Sequence, residues 1–166
     1  MKVTPKDHKN FWRVIGLGFL LIVIFTILDV YGSLMWGATG GWEGNAYRTA
    51  GGMYQTLFWG FAYGFIAMVA VLYYNLRKDK SETLAVLITP ILLLQFGLED
   101  VLFYIFKGLN VFTDTMPWLT GNLVPPTLIS RIFGYTVVQG PYLFISAIIG
   151  IGVVISLDKW LLARKW

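Results

Sequence analysis

The chain alternates long apolar runs with short polar breaks, and the runs are too long for the helices of a soluble core. Four reach membrane length: residues 11–35, 53–74, 83–106 and 132–157. About 20 apolar residues in helical form cross a hydrocarbon layer roughly 30 Å thick. The pattern predicts an all-α integral membrane protein, with four transmembrane helices in an up-down bundle and one domain over residues 1–166. The breaks carry end signals. Thr4-Pro5-Lys6-Asp7 reads as a helix start, with Thr as cap, Pro in the first turn and an acid near the positive end of the dipole. A basic head before an apolar run is also the form of a signal peptide, but the run is long and no A-x-A site follows, so a retained span is expected.

Residues 36–52 read as a Gly-rich loop, with Trp36 and Trp42 at the membrane interface. Residues 75–82, NLRKDKSE, form a charged turn in which Asp79 and Glu82 have capping-box spacing for the next helix. Pro90 and Pro141 predict kinks. Residues 108–130 are too apolar for a solvated linker and predict an interfacial or re-entrant connection. The tail from Asp158 reads as a short, Trp-anchored interfacial segment. Gly60 and Gly64 make a small-xxx-small pair suited to close helix approach.

Charge sets the orientation. Four spans put both termini on one side, together with ten of the 13 Lys and Arg residues; Arg48, Lys107 and Arg131 fall opposite. The positive-inside rule then places both termini in the cytoplasm, in a multi-pass protein of the cell membrane. Only 13% of residues are charged, against about 25% in a soluble domain. The net charge of +4 is too small and too dispersed to indicate nucleic-acid binding. There is no cysteine, and the single histidine, His8, lies in the polar N-terminal segment. No haem, copper, zinc or iron–sulfur cofactor is therefore expected.

The candidate chemistry lies in the spans. Glu99 and Asp100 stand side by side in the third run, one turn after Gln95. A carboxylate at membrane depth costs roughly 2.5–3.5 kcal/mol even on a lenient scale, so a partner, a shared proton or a wet cavity must offset it. Depth counted along each helix places Asp29, Gln55, Glu99 and Asp100 in the outer half, with the inner half nearly apolar. Tyr135, Gln139, Tyr142 and Ser146, spaced 4, 3 and 4, predict one polar face of the fourth helix, and Thr26, Asp29 and Ser33 one face of the first. Glu99 and Asp100 diverge by about 100°: Glu99 is expected to share the face of Gln95, and Asp100 that of Tyr104 and Lys107. The binding set is thus Asp29, Gln55, Gln95, Tyr104, Arg131, Tyr135, Gln139 and Tyr142 around the two acids. An ion-pair network of the three outer acids with Arg48, Lys107 and Arg131 is the plain alternative.

Residues 98–104, LEDVLFY, resemble the acidic-aromatic motif E-E/D-x-x-F-F of the small membrane lycopene cyclases. The resemblance covers these seven residues. It implies that Glu99 and Asp100 are an acid pair that protonates a polyene end group, with Phe103 and Tyr104 in the aromatic positions. An acid kept protonated by an apolar setting can give its proton to an alkene, and aromatic faces stabilise the cation that follows.

Three readings remain at this point. The leading one is a non-catalytic accessory subunit of a larger membrane complex, which fits the lack of cofactor ligands and the aromatic-rich helix faces. The alternative is an enzyme acting by acid catalysis on an isoprenoid or other lipid-soluble substrate, with Glu99 and Asp100 as catalytic acids. A proton-coupled carrier comes third, since no internal repeat is evident. Expected partners are membrane lipids and other membrane subunits or a second copy, with no nucleic acid.

Overall fold

A computed structural model describes residues 5–37, 45–116, 119 and 124–163, with side chains over residues 10–32, 58–116, 119 and 124–163. The first apolar run forms α1 (Pro5–Gly37) and the second forms α2 (Asn45–Arg77). The loop expected over residues 36–52 is therefore shorter, because α2 begins at Asn45. The side chains of His8, Ser33, Trp36, Arg48 and Gln55, and residue Trp42, lie outside the described residues.

The third run departs most from expectation. It is two helices, α3 (Lys80–Gln95) and α4 (Leu98–Phe106), bent by 64° at the intervening Phe96-Gly97. Pro90, where a kink was expected, sits inside α3 instead. Gly97 takes the left-handed conformation at φ 80°, and a Cβ there would overlap Leu143. Only glycine meets both conditions without strain. The break falls where two glycine-specific demands coincide, with φ set by the turn and space by the facing helix.

The fourth run is also divided. After α4, a 3-10 turn (Val111–Thr113) leads into the two-residue strand β1 (Thr115–Met116). A short helix α5 (Pro125–Ile132) follows, opened by prolines in its first turn, then β2 (Val138–Gln139) and α6 (Gly140–Ala163). β1 and β2 pair antiparallel, Thr115 opposite Gln139 and Met116 opposite Val138. The Gly140 amide donates to the Asp114 carbonyl at 3.0 Å, and the Thr127 hydroxyl to the Leu119 carbonyl at 2.7 Å. These bonds tie the 108–130 connection to the start of α6. Pro141 lies in the first turn of α6 and makes no kink, since the missing N–H is not needed there.

α3 is the hub. It packs against α1, α2 and α6, whereas α1 and α2 scarcely touch each other. Phe25, Ile22, Ile66, Leu93, Leu94 and Leu143 are fully buried between these helices. Three helices are long and apolar enough to cross a membrane, Asn10–Gly32, Phe58–Arg77 and Gly140–Ala163, and a fourth crossing is available if the bent pair α3–α4 counts as one. The fold is all-α apart from the two-residue bridge, as the apolar pattern predicts, in the form of a multi-pass membrane protein.

Candidate functional site

The end of the bundle that holds the α2–α3 turn carries two buried acids, one expected in that turn and one in the tail. Glu82, on the first turn of α3, is only 3% exposed. Its backbone N–H donates to Asp79 Oδ1 at 2.9 Å, so Asp79 caps the helix as the spacing predicts. The Glu82 carboxylate turns elsewhere: Oε2 accepts from Arg13 Nη2 of α1 at 2.6 Å and from the Tyr73 hydroxyl of α2 at 2.7 Å. Arg13 Nε also donates to the Tyr73 oxygen at 2.9 Å, and its Nη2 to Asn10 Oδ1 at 3.0 Å. Deeper in the same half, Asp158 is fully buried on α6, and the Thr89 hydroxyl lies 2.7 and 2.9 Å from its two oxygens. Gly18 of α1 lies directly against Thr89. Asp158 was expected in an interfacial tail; α6 simply continues through it to Ala163.

Asp29, Glu99 and Asp100 do converge, although not in the predicted arrangement. Glu99 and Asp100 occupy the first turn of α4, where the helix dipole favours negative charge. Glu99 is 3% exposed, and its Oε1 is buried with no hydrogen-bond partner among the described residues. Asp29 of α1 lies within electrostatic reach of both Glu99 and Lys107. Lys107 follows the last turn of α4, its Nζ 4.7 Å from the Phe103 ring centroid. Burial pushes the Lys107 ammonium below its usual range, and Asp29 opposes that effect.

Asp100 faces a cavity of about 370 Å³ lined by Trp59 and Tyr63 of α2, Leu94 and Gln95 of α3, Gly97, and Leu119, Val124 and Pro126 from the outer connection. The Gln95 amide donates to the Tyr63 hydroxyl, and Trp59 and Tyr63 stack at 5.7 Å. The 64° break rotates α4 against α3, so Asp100 and not Glu99 joins Gln95 at the wall. A face count across an unbroken helix could not give that result.

The remaining predicted residues fall elsewhere. Tyr104 is buried and its hydroxyl bonds to Asp114, away from the cavity. Tyr135 and Gln139 precede α6, so the predicted face of four does not form. Tyr135, Tyr142 and Phe133 instead make an aromatic cluster, with Phe133 stacked on Tyr142 at 4.8 Å. Gln139 Nε2 bonds locally to the Val137 carbonyl, and Arg131 is exposed on α5. The Thr26 hydroxyl is spent on the Ile22 carbonyl of its own helix. Sequence reasoning missed Trp59 and Tyr63 as pocket walls; their i, i+4 spacing, one turn from the Gln55-Thr56 pair, was the available signal.

Among the described residues no three His, Cys, Asp or Glu side chains are placed to hold a metal ion. The fold and site together define a helical membrane-type bundle with an acid-bearing, aromatic-walled cavity. Neither protein-family models, nor curated proteins, nor solved structures give a match to this chain.

Proposed function

We propose that the chain is a cell-membrane protein of four spans with both termini cytoplasmic, and that it is an enzyme acting by acid catalysis on an isoprenoid or other lipid-soluble polyene. The observation that carries this reading is the cavity with Asp100 in its wall, backed by Glu99 with an unpartnered buried oxygen. The volume lies in the lower part of the usual ligand-pocket range of 300–1,000 Å³ and fits one end of a long molecule better than the whole.

In this scheme Asp100 gives a proton to a terminal double bond, and the cation that forms lies against the Trp59 and Tyr63 rings. Attack by a second double bond closes the ring, and loss of a proton from a neighbouring carbon ends the sequence. The reaction is an isomerisation and needs no redox partner. Glu99 stands behind Asp100 as an electrostatic neighbour, and the resemblance of residues 98–104 to lycopene cyclases points to the same chemistry.

The test is turnover of a linear polyene such as lycopene in heavy water. A cyclised product carrying one solvent deuterium per ring is expected, and Asp100→Asn should abolish it. A product without deuterium, or full turnover by Asp100→Asn, overturns the mechanism.

The accessory-subunit reading keeps one specific support. Gly60 and Gly64 are exposed on α2 and have no atom within 4 Å of where a side chain would begin. Stoichiometric co-migration with another membrane protein in mild detergent, without polyene turnover, would favour it.

A further inference from the structure

The end of the bundle opposite the cavity carries cations in surplus. Two guanidiniums share one carboxylate oxygen there. Arg13 holds Glu82 Oε2 at 2.6 Å, whereas Arg77 approaches the same oxygen only to 3.8 Å, beyond hydrogen-bond length. Arg77 is 44% exposed, and its forked N–H groups can serve a further acceptor. Lys80, three residues on, is exposed at the start of α3. The nearby acids are engaged elsewhere: Asp79 accepts the Glu82 amide, and Glu82 is filled by Arg13 and Tyr73. Lys78 is also engaged, with its Nζ over the Tyr74 ring at 5.4 Å. Arg77, held only by the long 3.8 Å approach, and Lys80 therefore keep N–H donors for a further acceptor.

Their setting is amphipathic. Leu72 and Leu76 of α2 are 54% and 83% exposed and run directly up to Arg77. Trp12 and Trp160 are exposed at the same end, as expected of side chains at the headgroup level. Exposed apolar side chains beside a guanidinium fork match acyl chains that end in a phosphodiester.

We propose that Arg77 and Lys80 bind the headgroup of an anionic phospholipid. The Arg77 fork takes the two non-bridging phosphate oxygens, Lys80 adds the second charge, and the acyl chains lie along Leu72 and Leu76. A zwitterionic headgroup brings its own cation toward Lys80 and is disfavoured. This site is separate from the cavity and does not depend on the catalytic reading.

The test uses the full chain in mild detergent, with phosphatidylglycerol or phosphatidylcholine added at equal mole fraction. Thermal unfolding and native mass spectrometry read stabilisation and retained lipid. Phosphatidylglycerol is expected to stabilise more and to remain bound. Arg77→Gln should weaken its binding about fivefold, and Arg77→Gln with Lys80→Gln about 25-fold, the scale set by one surface cation each. Arg77→Lys should recover only part of the single loss, because an ammonium restores the charge and not the fork. If Arg77→Gln does not fold, Lys80→Gln alone, at an exposed position, gives the same readout. Equal stabilisation by both lipids, unchanged binding in the double variant, or full reproduction of the effect by inorganic phosphate overturns the proposal.

Discussion

Glu82 and Glu99 are equally buried, at 3% exposure each, and lie on the same broken α3–α4 unit. Their surroundings are opposite. Glu82 receives Arg13 and Tyr73 from two other helices, so its carboxylate joins α1, α2 and α3. Glu99 has an oxygen with no partner, an adjacent acid at a cavity wall and Asp29 nearby. A buried carboxylate with its partners in place fixes register; one with an unpartnered oxygen carries a cost that calls for an explanation. Burial alone therefore does not identify a site, and the inventory of partners does.

The sharpest way to break this comparison is Glu82→Leu, which removes the acceptor shared by Arg13 and Tyr73. Loss of a buried pair costs 3–5 kcal/mol, and because Arg13 is 34% exposed the expected loss is about 2–3 kcal/mol. Thermal unfolding in detergent reads it. Glu99→Gln should not lower the unfolding temperature at all, while reducing polyene turnover by at least about tenfold. Equal destabilisation by the two changes would erase the distinction drawn here.

Smaller effects sharpen it. Gly97→Ala puts a side chain at φ 80° against Leu143 and should cost about 2 kcal/mol, shifting Asp100 from the cavity wall. Thr89→Val removes the hydroxyl that serves Asp158 and should cost about 1–2 kcal/mol in the same assay. Gly64→Ala meets open space and should stay within about 0.5 kcal/mol, unless another helix covers that face, in which case detergent-stable association falls with it.

The sequence made an all-α fold with membrane-length apolar helices legible, because burial in lipid demands long runs, but two of the four runs are divided. It also made the convergence of Asp29, Glu99 and Asp100 at one end of the bundle legible, since position along each helix follows from counting residues. The break at Phe96-Gly97 was not legible: apolar residues continue on both sides, and what requires glycine is Leu143 of another helix. The start of α6 was hidden for a related reason, as Val138 and Gln139 continue an apolar run yet pair with Met116 and Thr115. Glu82 looked like part of a solvated turn because its partner, Arg13, is 69 residues away, and no local period records such a contact.

The one-sided attachment of α2 has a mechanical consequence. At 33 residues it is about 50 Å long by helical rise, well beyond a ~30 Å hydrocarbon layer, so it leans or protrudes. Its chief support within the bundle is α3, and it carries Trp59 and Tyr63, one side of the cavity. The opposite side, Leu119, Val124 and Pro126, belongs to the connection that the β1–β2 bridge ties to α6. Bilayer thickness thus acts on the width of the cavity, because a thinner membrane increases the lean of α2.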